Sequence, residues 1–180
     1  MPPYFKTSDG ADLGLSHLFY VKVITLITVG KIKEKYFTDA IAEYQKRLSR
    51  YCKLEILEVA DEKTPDGASA AIEEQIKEKE AERVRKVLKD SAYTIALAID
   101  GKQMTSENFA EKIQGLGIRG ESHICFLIGG SLGMSDSLLR QADERISFSK
   151  MTFPHQLMRV ILLEQIYRGF RIIHHEPYHK

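Results

Sequence analysis

The sequence has few cysteines, no tryptophan and almost no net charge. Its 180 residues include two cysteines, Cys52 and Cys125, which do not form a Cys-x-x-Cys spacing. This excludes a small disulfide scaffold and a cysteine zinc site, and it is typical of free thiols in the cytoplasm. The 26 Lys and Arg residues against 25 Asp and Glu residues give a net charge of +1. Composition therefore lacks a nucleic-acid signature and, taken alone, favours a small metabolic enzyme.

The sequence also lacks long apolar runs. None reaches the roughly 20 residues that a membrane span needs, so we expect no membrane association. The first twenty residues have no basic segment followed by an apolar one, which excludes a signal peptide. They contain Pro2, Pro3, Gly10 and Gly14. We expect residues 1–20 to be a disordered extension or tag, and residues 21–180 to form a single domain.

Apolar periodicity predicts alternating strands and helices along the rest of the chain. The predicted strands cover residues 21–29, 54–59, 94–99, 123–128 and 146–149, the third being closed by Asp100-Gly101. Helices are expected over 36–51, 70–89, 105–114, 135–142 and 154–170, the second of them charged and solvated. This alternation predicts an α/β fold with a mostly parallel sheet sandwiched by helices.

Ligands of such sheets bind beyond the carboxyl ends of the strands. We therefore expect a ligand site to involve three strand ends, at residues 97–101, 129–133 and 148–153. The second contains Gly129-Gly130-x-x-Gly133, which suits close backbone approach to a ligand but matches no nucleotide fingerprint. A plain tight turn remains an alternative there. Ser131 also has glycines on both sides, as in a hydrolase elbow, but the acids that follow it fall mostly on helices or in the tail.

The C-terminal third is locally basic and rich in histidine. Its histidines are His155, His174, His175 and His179, accompanied by Lys150, Arg159, Arg168, Arg171 and Lys180. Such groups around a pocket suit phosphate contacts and base stacking, although an ordinary polar tail has the same composition. No acidic or cysteine partner has ligand spacing, so we predict no metal site.

The helix at 154–170 is apolar on nearly every side. A helix of this kind must be covered on more than one face. One core covers one face, and we expect a second copy of the chain to cover the rest in a homodimer. The alternative is full burial within one chain.

Several segments together resemble a known family. They are residues 23–31, 126–133, the Ser-x-x-Thr-x-Pro-His segment within 147–159, residues 164–168 and the terminal Pro-Tyr-His-Lys at 177–180. This combination resembles the ribosomal RNA large subunit methyltransferase H family, a bacterial family of the SPOUT class. The resemblance covers about residues 21–180, and the first twenty residues have no counterpart in that family.

The resemblance implies a C-terminal trefoil knot, which is a rare exception to the usual chain topology. It also implies a homodimer that binds S-adenosylmethionine in the knot loops and methylates N3 of a pseudouridine in 23S rRNA, on assembled ribosomes. The alternative is a non-catalytic ribosome-binding protein with the same fold. Cofactor contacts carried over from the family are Leu97, Gly129, Phe148, Ser149, Lys150, Met151, Thr152 and Phe153.

Residue type and position suggest the catalytic groups. His155 or His179 would accept the N3 proton, since neutral histidine is available near pH 7. Arg159 and Lys180 would hold phosphates or a base oxygen, and Tyr178 would stack on the base. His155 could instead be a structural residue at a helix start, and Arg159 could instead pair with Glu164.

Overall fold

The protein is described by a computed structural model over residues 20–178, in which strands and helices alternate. The elements in chain order are β1 (Val23–Val29), α1 (Lys35–Leu48), β2 (Lys53–Val59), α2 (Ala70–Val87), β3 (Tyr93–Gln103), α3 (Ser106–Ile118), β4 (His123–Ile128), α4 (Asp136–Gln141), β5 (Glu144–Ser147) and α5 (His155–Ile173). The predicted order of elements is confirmed.

The five strands form one sheet in the order β2-β1-β4-β3-β5, and every pair of neighbours is parallel. β1 lies between β2 and β4, with Val23 opposite both Lys53 and His123. Because all strands run the same way, their carboxyl ends meet at one edge. The prediction of a parallel α/β sheet is confirmed.

Helices cover both faces of this sheet. Ile24 and Leu26 of β1 point to a core with residues of α1, α3 and α5, whereas Ile27 and Val29 point to a second core with residues of α2 and α4. This alternation follows from the two-residue period of a strand. Because β1 is buried on both faces, its sequence is an almost continuous apolar run.

β3 is longer than the sequence indicates. The strand continues past Asp100-Gly101 to Gln103, so the prediction that this dipeptide closes it is wrong. Leu97 and Lys102 both pair with Ile146, which means that the intervening residues form a bulge. Gly101 is needed at this bulge, because a Cβ there would lie 2.5 Å from the backbone carbon of Ile146.

Three other boundaries differ from the prediction. α3 continues beyond Gln114 to Ile118 although it contains two glycines, because Leu116 is fully buried. β5 ends at Ser147, where the side chain turns to bond the carbonyl oxygen of Ser149. α5 extends to Ile173.

Some predictions lie beyond these observations. The trefoil knot stays a prediction. The interpretation of residues 1–20 as an extension falls outside the described residues, apart from Tyr20. Within residues 20–178, no helix combines the length and apolar character needed to cross a membrane.

Candidate active site

A cavity of about 610 Å³ opens at the edge where the strands end. Its wall is built from the three strand ends predicted to matter, together with the start of α5. The lining residues are 97–99, 128–134, 146–149, 151–155 and Met158. Apolar side chains dominate, and the glycine loop contributes exposed backbone. A pocket with these properties is the expected form of a small-molecule site.

The glycine loop at 129–133 is a tightly folded turn that also lines the cavity. The Gly133 N–H donates to the Gly130 carbonyl oxygen at 3.0 Å, and Gly133 has φ +81°. A Cβ on Gly129 would lie 2.6 Å from the Gly133 carbonyl carbon. Glycine is therefore required at both positions, at one for close approach and at the other for a left-handed backbone. The predicted alternatives of a tight turn and a ligand loop are compatible.

The segment after β5 forms the opposite wall. The Ser147 hydroxyl donates to the Ser149 carbonyl oxygen at 2.9 Å, and the Met151 N–H donates to Ser149 Oγ at the same distance. Phe148 packs edge-on against Phe109 of α3, with 6.0 Å between the ring centroids. These contacts hold the segment against the core. Met151 is 72% exposed at the rim of the cavity.

Of the eight predicted cofactor contacts, seven line this cavity: Leu97, Gly129, Phe148, Ser149, Met151, Thr152 and Phe153. Lys150 does not line it and is exposed. Among the predicted catalytic residues, His155 lines the cavity, whereas Arg159 and Tyr178 do not. His179 and Lys180 lie outside the described residues.

His155 is the first residue of α5 and faces the turn after β1. Its ring lies near Gly30, where a Cβ would be 3.8 Å from His155 Nε2 and 3.7 Å from the Asp61 carboxyl carbon. Burial and the charge of Arg159 lower the pKa of His155, although Asp61 and Glu34 oppose this. The imidazole is therefore neutral near pH 7 and able to accept a proton.

Arg159 is fully buried one turn further along α5. It donates to Glu58 Oε1 at 2.7 Å and to the carbonyl oxygens of Val29 and Gly30 at 3.0 and 2.8 Å. Burial lowers the pKa of Arg159, and Glu58 raises it. The expected alternative pairing with Glu164 is wrong, because Glu164 instead binds Arg168. Arg159 thus joins α5 to the ends of β1 and β2.

Tyr178 lies along the middle of α5. Its ring packs edge-on against Tyr167 with 4.9 Å between the centroids, and the Arg168 guanidinium lies 4.8 Å from the centroid of its ring. Its hydroxyl donates to Glu164 Oε1 at 3.2 Å. Burial, with contributions from Tyr44 and Glu164, raises the pKa of Tyr178 to about 12. The hydroxyl is therefore protonated at neutral pH.

Comparison with known proteins decides the family. A family model described as "Predicted SPOUT methyltransferase" matches residues 23–179. The chain belongs to the SPOUT methyltransferase family. Two relatives, each called ribosomal RNA large subunit methyltransferase H, match this SPOUT methyltransferase over 157 residues, which is 87% of this chain and 99% of theirs. The one from Bifidobacterium adolescentis is 67% identical and the one from Clostridium beijerinckii is 63% identical.

Among solved structures, the SPOUT methyltransferase is similar to a methylase family protein from Neisseria gonorrhoeae. The TM-score is 0.47 at 11% identity, over 86% of this chain and 84% of the other. The predicted family resemblance is confirmed by the family model and the close relatives.

Among residues 20–178 of the SPOUT methyltransferase, the lysine and arginine side chains of the C-terminal third do not line the cavity as expected. Three arginines of the C-terminal third, Arg159, Arg168 and Arg171, each form an ion pair with a carboxylate. None of them lines the cavity. Within residues 20–178, no group of three or more His, Cys, Asp and Glu side chains has the arrangement to hold a metal ion.

Sequence reasoning missed several residues at this edge of the SPOUT methyltransferase. The sequence gives no reason to select Glu58 as a site residue, because its buried partner, Arg159, is distant in the chain. Glu80 belongs to the helix predicted to be solvated, yet it is only 5% exposed. It accepts the Glu62 N–H at 2.9 Å, and its second oxygen would lie 3.3 Å from a Cβ on Gly130. Burial raises the pKa of Glu80. Helical periodicity places Glu80 one turn from Ile76 and Val84, which is the signal that could have found it.

Proposed function

We propose that this SPOUT methyltransferase methylates N3 of a pseudouridine in 23S rRNA, on assembled ribosomes in the cytoplasm, with S-adenosylmethionine as the methyl donor. The observation that carries this is the coincidence of the cavity with seven of the eight positions that the family resemblance assigns to the cofactor. The names of relatives that are 67% and 63% identical support a large-subunit rRNA substrate.

The cavity fits S-adenosylmethionine in size and chemistry. Its volume of about 610 Å³ is within the range of roughly 300–1,000 Å³ that is typical of small-molecule sites. The apolar side chains of Leu97, Phe148 and Phe153 suit an adenine ring, and the backbone around Gly129 suits its polar edge. When bound there, the cofactor supplies an electrophilic methyl group.

The protein must hold the target base and remove its N3 proton. Positioning of reacting groups can contribute roughly 7–11 kcal/mol to a reaction of this kind. We assign the removal of the N3 proton to His155, whose neutral ring lies at the cavity wall. His179 is the second candidate for this role. Tyr178 is suited to stack on or orient the base rather than to accept a proton, since its pKa is about 12.

In this proposal Arg159 has a structural role, and not the phosphate contact that an arginine in this segment suggests. Because its guanidinium bonds Glu58 and two backbone carbonyls, it is assigned to positioning the turn at Gly30 beside His155. The phosphate contacts are left to exposed Lys150 and to Lys180.

A homodimer is part of the proposal. One face near the start of α5 carries three apolar side chains at helical spacing, those of Leu157, Val160 and Ile161. Each of them is only half-buried in the single chain. An apolar stripe of this kind beside a site suits an interface with a second copy.

The alternative is a ribosome-binding protein that has kept the fold without catalysis. Calorimetric titration with S-adenosylmethionine distinguishes the two, because only the enzyme needs the cofactor. Transfer of a labelled methyl group to ribosomes that lack the modification tests the reaction itself. We expect label in the 23S rRNA of ribosomes and little in free 23S rRNA. A dissociation constant of about 1 mM corresponds to a binding free energy near −4 kcal/mol. If no cofactor binding is detected at about that concentration, the proposal that the protein is an enzyme is wrong.

A further inference from the structure

The chain reverses direction directly after α5. The His175 N–H donates to the Ile172 carbonyl oxygen at 3.0 Å, and the Glu176 N–H donates to the Arg171 carbonyl oxygen at 2.8 Å. This pair of bonds is the Schellman pattern, which normally has glycine at the left-handed position. Here that position is His175, with φ +55°. Its left-handed backbone is unfavourable for a residue with a side chain, so other contacts must hold the turn.

The side chain of Glu176 provides such contacts. Its carboxylate accepts hydrogen bonds from the Tyr51 hydroxyl and from the Arg171 guanidinium, and Arg50 lies 3.5 Å away. The second guanidinium nitrogen of Arg171 donates to the Pro177 carbonyl oxygen at 3.0 Å. The Tyr51 hydroxyl bond and the charge of Arg171 lower the pKa of Glu176. The carboxylate is thus ionised at neutral pH and ties the turn to α5 and to the segment between α1 and β2.

Two residues further along, this turn delivers Tyr178 to a second set of contacts. Tyr178 packs on Tyr167 and Arg168 and bonds Glu164, about two to three helical turns back along α5. The segment from Glu176 to Tyr178 therefore runs back along α5, toward the N-terminal end of this helix that lines the cavity. Glu176 itself does not line the cavity, so its side chain does not contribute directly to the wall of the cofactor site.

We propose that Glu176 is a positioning residue for the C-terminal tail, and that its bonds to Tyr51 and Arg171 set where Tyr178 meets the RNA. This rests on the proposed function, which assigns the tail to substrate. The proposal predicts different effects on two properties of the enzyme. Loss of the Glu176 contacts should impair methyl transfer to the RNA, whereas cofactor binding in the cavity should continue.

The test compares Glu176→Gln, which keeps the shape but removes the charge, with Tyr51→Phe, which removes one hydroxyl. The matched control is Asp39→Asn, which breaks an exposed ion pair with Lys35 on α1. Each protein is assayed for hydrogen exchange of the C-terminal peptide without substrate, for cofactor Kd, and for kcat/KM with ribosomes.

We expect Glu176→Gln to speed exchange of the C-terminal peptide and to lower kcat/KM for ribosomes by roughly 10- to 100-fold, since small misplacements have such effects. Cofactor Kd should stay within about twofold, because the cavity is unchanged. Tyr51→Phe should give a smaller effect in the same direction, and combining it with Glu176→Gln should add little, because both act through one contact. Asp39→Asn should match the wild type.

Three outcomes would overturn the positioning role: wild-type exchange in Glu176→Gln, wild-type kcat/KM in that variant, or an equal loss of cofactor affinity. Failure of the proposed function looks different. In that case the wild-type protein itself transfers no methyl group to ribosomes, whatever the tail does.

Discussion

Arg159 binds Glu58 at 2.7 Å, although the two residues are 101 positions apart in the chain. The pair crosses the edge of the sheet at which the cavity opens, and Arg159 also bonds the backbone of the β1 end. An arginine in a basic C-terminal segment suggests a phosphate contact, but its surroundings make it part of the framework that holds His155.

Substitution of Arg159 by lysine should therefore destabilise the protein. Lysine cannot reach Glu58 and two carbonyl oxygens together, and a buried carbonyl left without a donor is costly. We expect a loss of about 2–3 kcal/mol in the free energy of unfolding, measured by urea titration. Arg47→Lys, in an exposed pair with Glu43, should change it by less than about 0.5 kcal/mol. Unchanged stability in Arg159→Lys with weakened RNA binding would instead support a direct RNA contact.

Gly129→Ala should weaken the binding of cofactor in the cavity. A Cβ at this position would lie 2.6 Å from the Gly133 carbonyl carbon, so the loop must move. We expect cofactor affinity, measured by calorimetry, to fall at least about tenfold, or roughly 1.4 kcal/mol.

Gly115→Ala in α3 is the control for this change. Its Cβ would meet nothing closer than the end of the Arg119 side chain, at 4.0 Å. Because alanine favours a helix over glycine, this variant should bind cofactor normally and gain up to about 1 kcal/mol of stability. Normal binding by Gly129→Ala would mean that the loop does not shape the site.

These residues show how far the sequence predicts the site. Apolar periodicity predicts the parallel sheet, and the rule that ligands bind at strand ends selects residues 97–101, 129–133 and 148–153. The eight individual cofactor positions are implied by the family resemblance; they fall within these three segments, and seven of them line one cavity. Each of these segments lies within or directly after one strand of the sheet, and that strand places it at the edge where the cavity opens. The local sequence pattern is therefore enough to locate these segments.

The partners of the charged residues could not be predicted in this way. Arg159 pairs with Glu58, and Glu176 with Tyr51. Each pair joins elements that are distant in the chain, and charge composition alone does not specify such pairing. The β3 bulge was missed for a similar reason, because Gly101 is needed for a close approach to Ile146 on another strand.

His155 should determine the acidic side of the pH–rate profile. Its pKa is lowered below 6.5 by burial and by Arg159, and the neutral form is the base. Activity should therefore rise through a pKa below 6.5 and be flat above it. In His155→Asn the rate should fall roughly 100-fold or more, and this acidic limb should disappear. An unchanged limb in the variant would assign the proton to another group, with His179 the first candidate.

Lys150 and Met151 are neighbours with different expected roles. Met151 lines the cavity, whereas Lys150 is exposed outside it. We expect Met151→Ala to weaken cofactor binding by about 1 kcal/mol and Lys150→Ala to leave it unchanged. Lys150→Ala should instead weaken ribosome binding and reduce its salt dependence. A cofactor defect in Lys150→Ala would place its ammonium in the site.

Glu78 connects α2 to the start of α4, next to the glycine loop. Bonds from Ser137 and Arg85 lower the pKa of Glu78 to about 2. A lowered carboxyl pKa contributes stability that is fully present above the unfolded value near 4.5 and is lost as pH falls toward about 2. Glu78→Gln should therefore lower the urea midpoint at about pH 7 and have a smaller effect at about pH 3. An equal effect at both pH values would contradict the ionised contact.

The most direct test is to find the atom that receives the methyl group. The protein is incubated with labelled S-adenosylmethionine and ribosomes that lack the modification, and the 23S rRNA is digested and analysed by mass spectrometry. We predict a single methyl group on N3 of one pseudouridine, formed by the wild-type protein and strongly reduced with His155→Asn. A methyl group on another atom or another RNA, or none at all from a protein that binds the cofactor, would contradict the account.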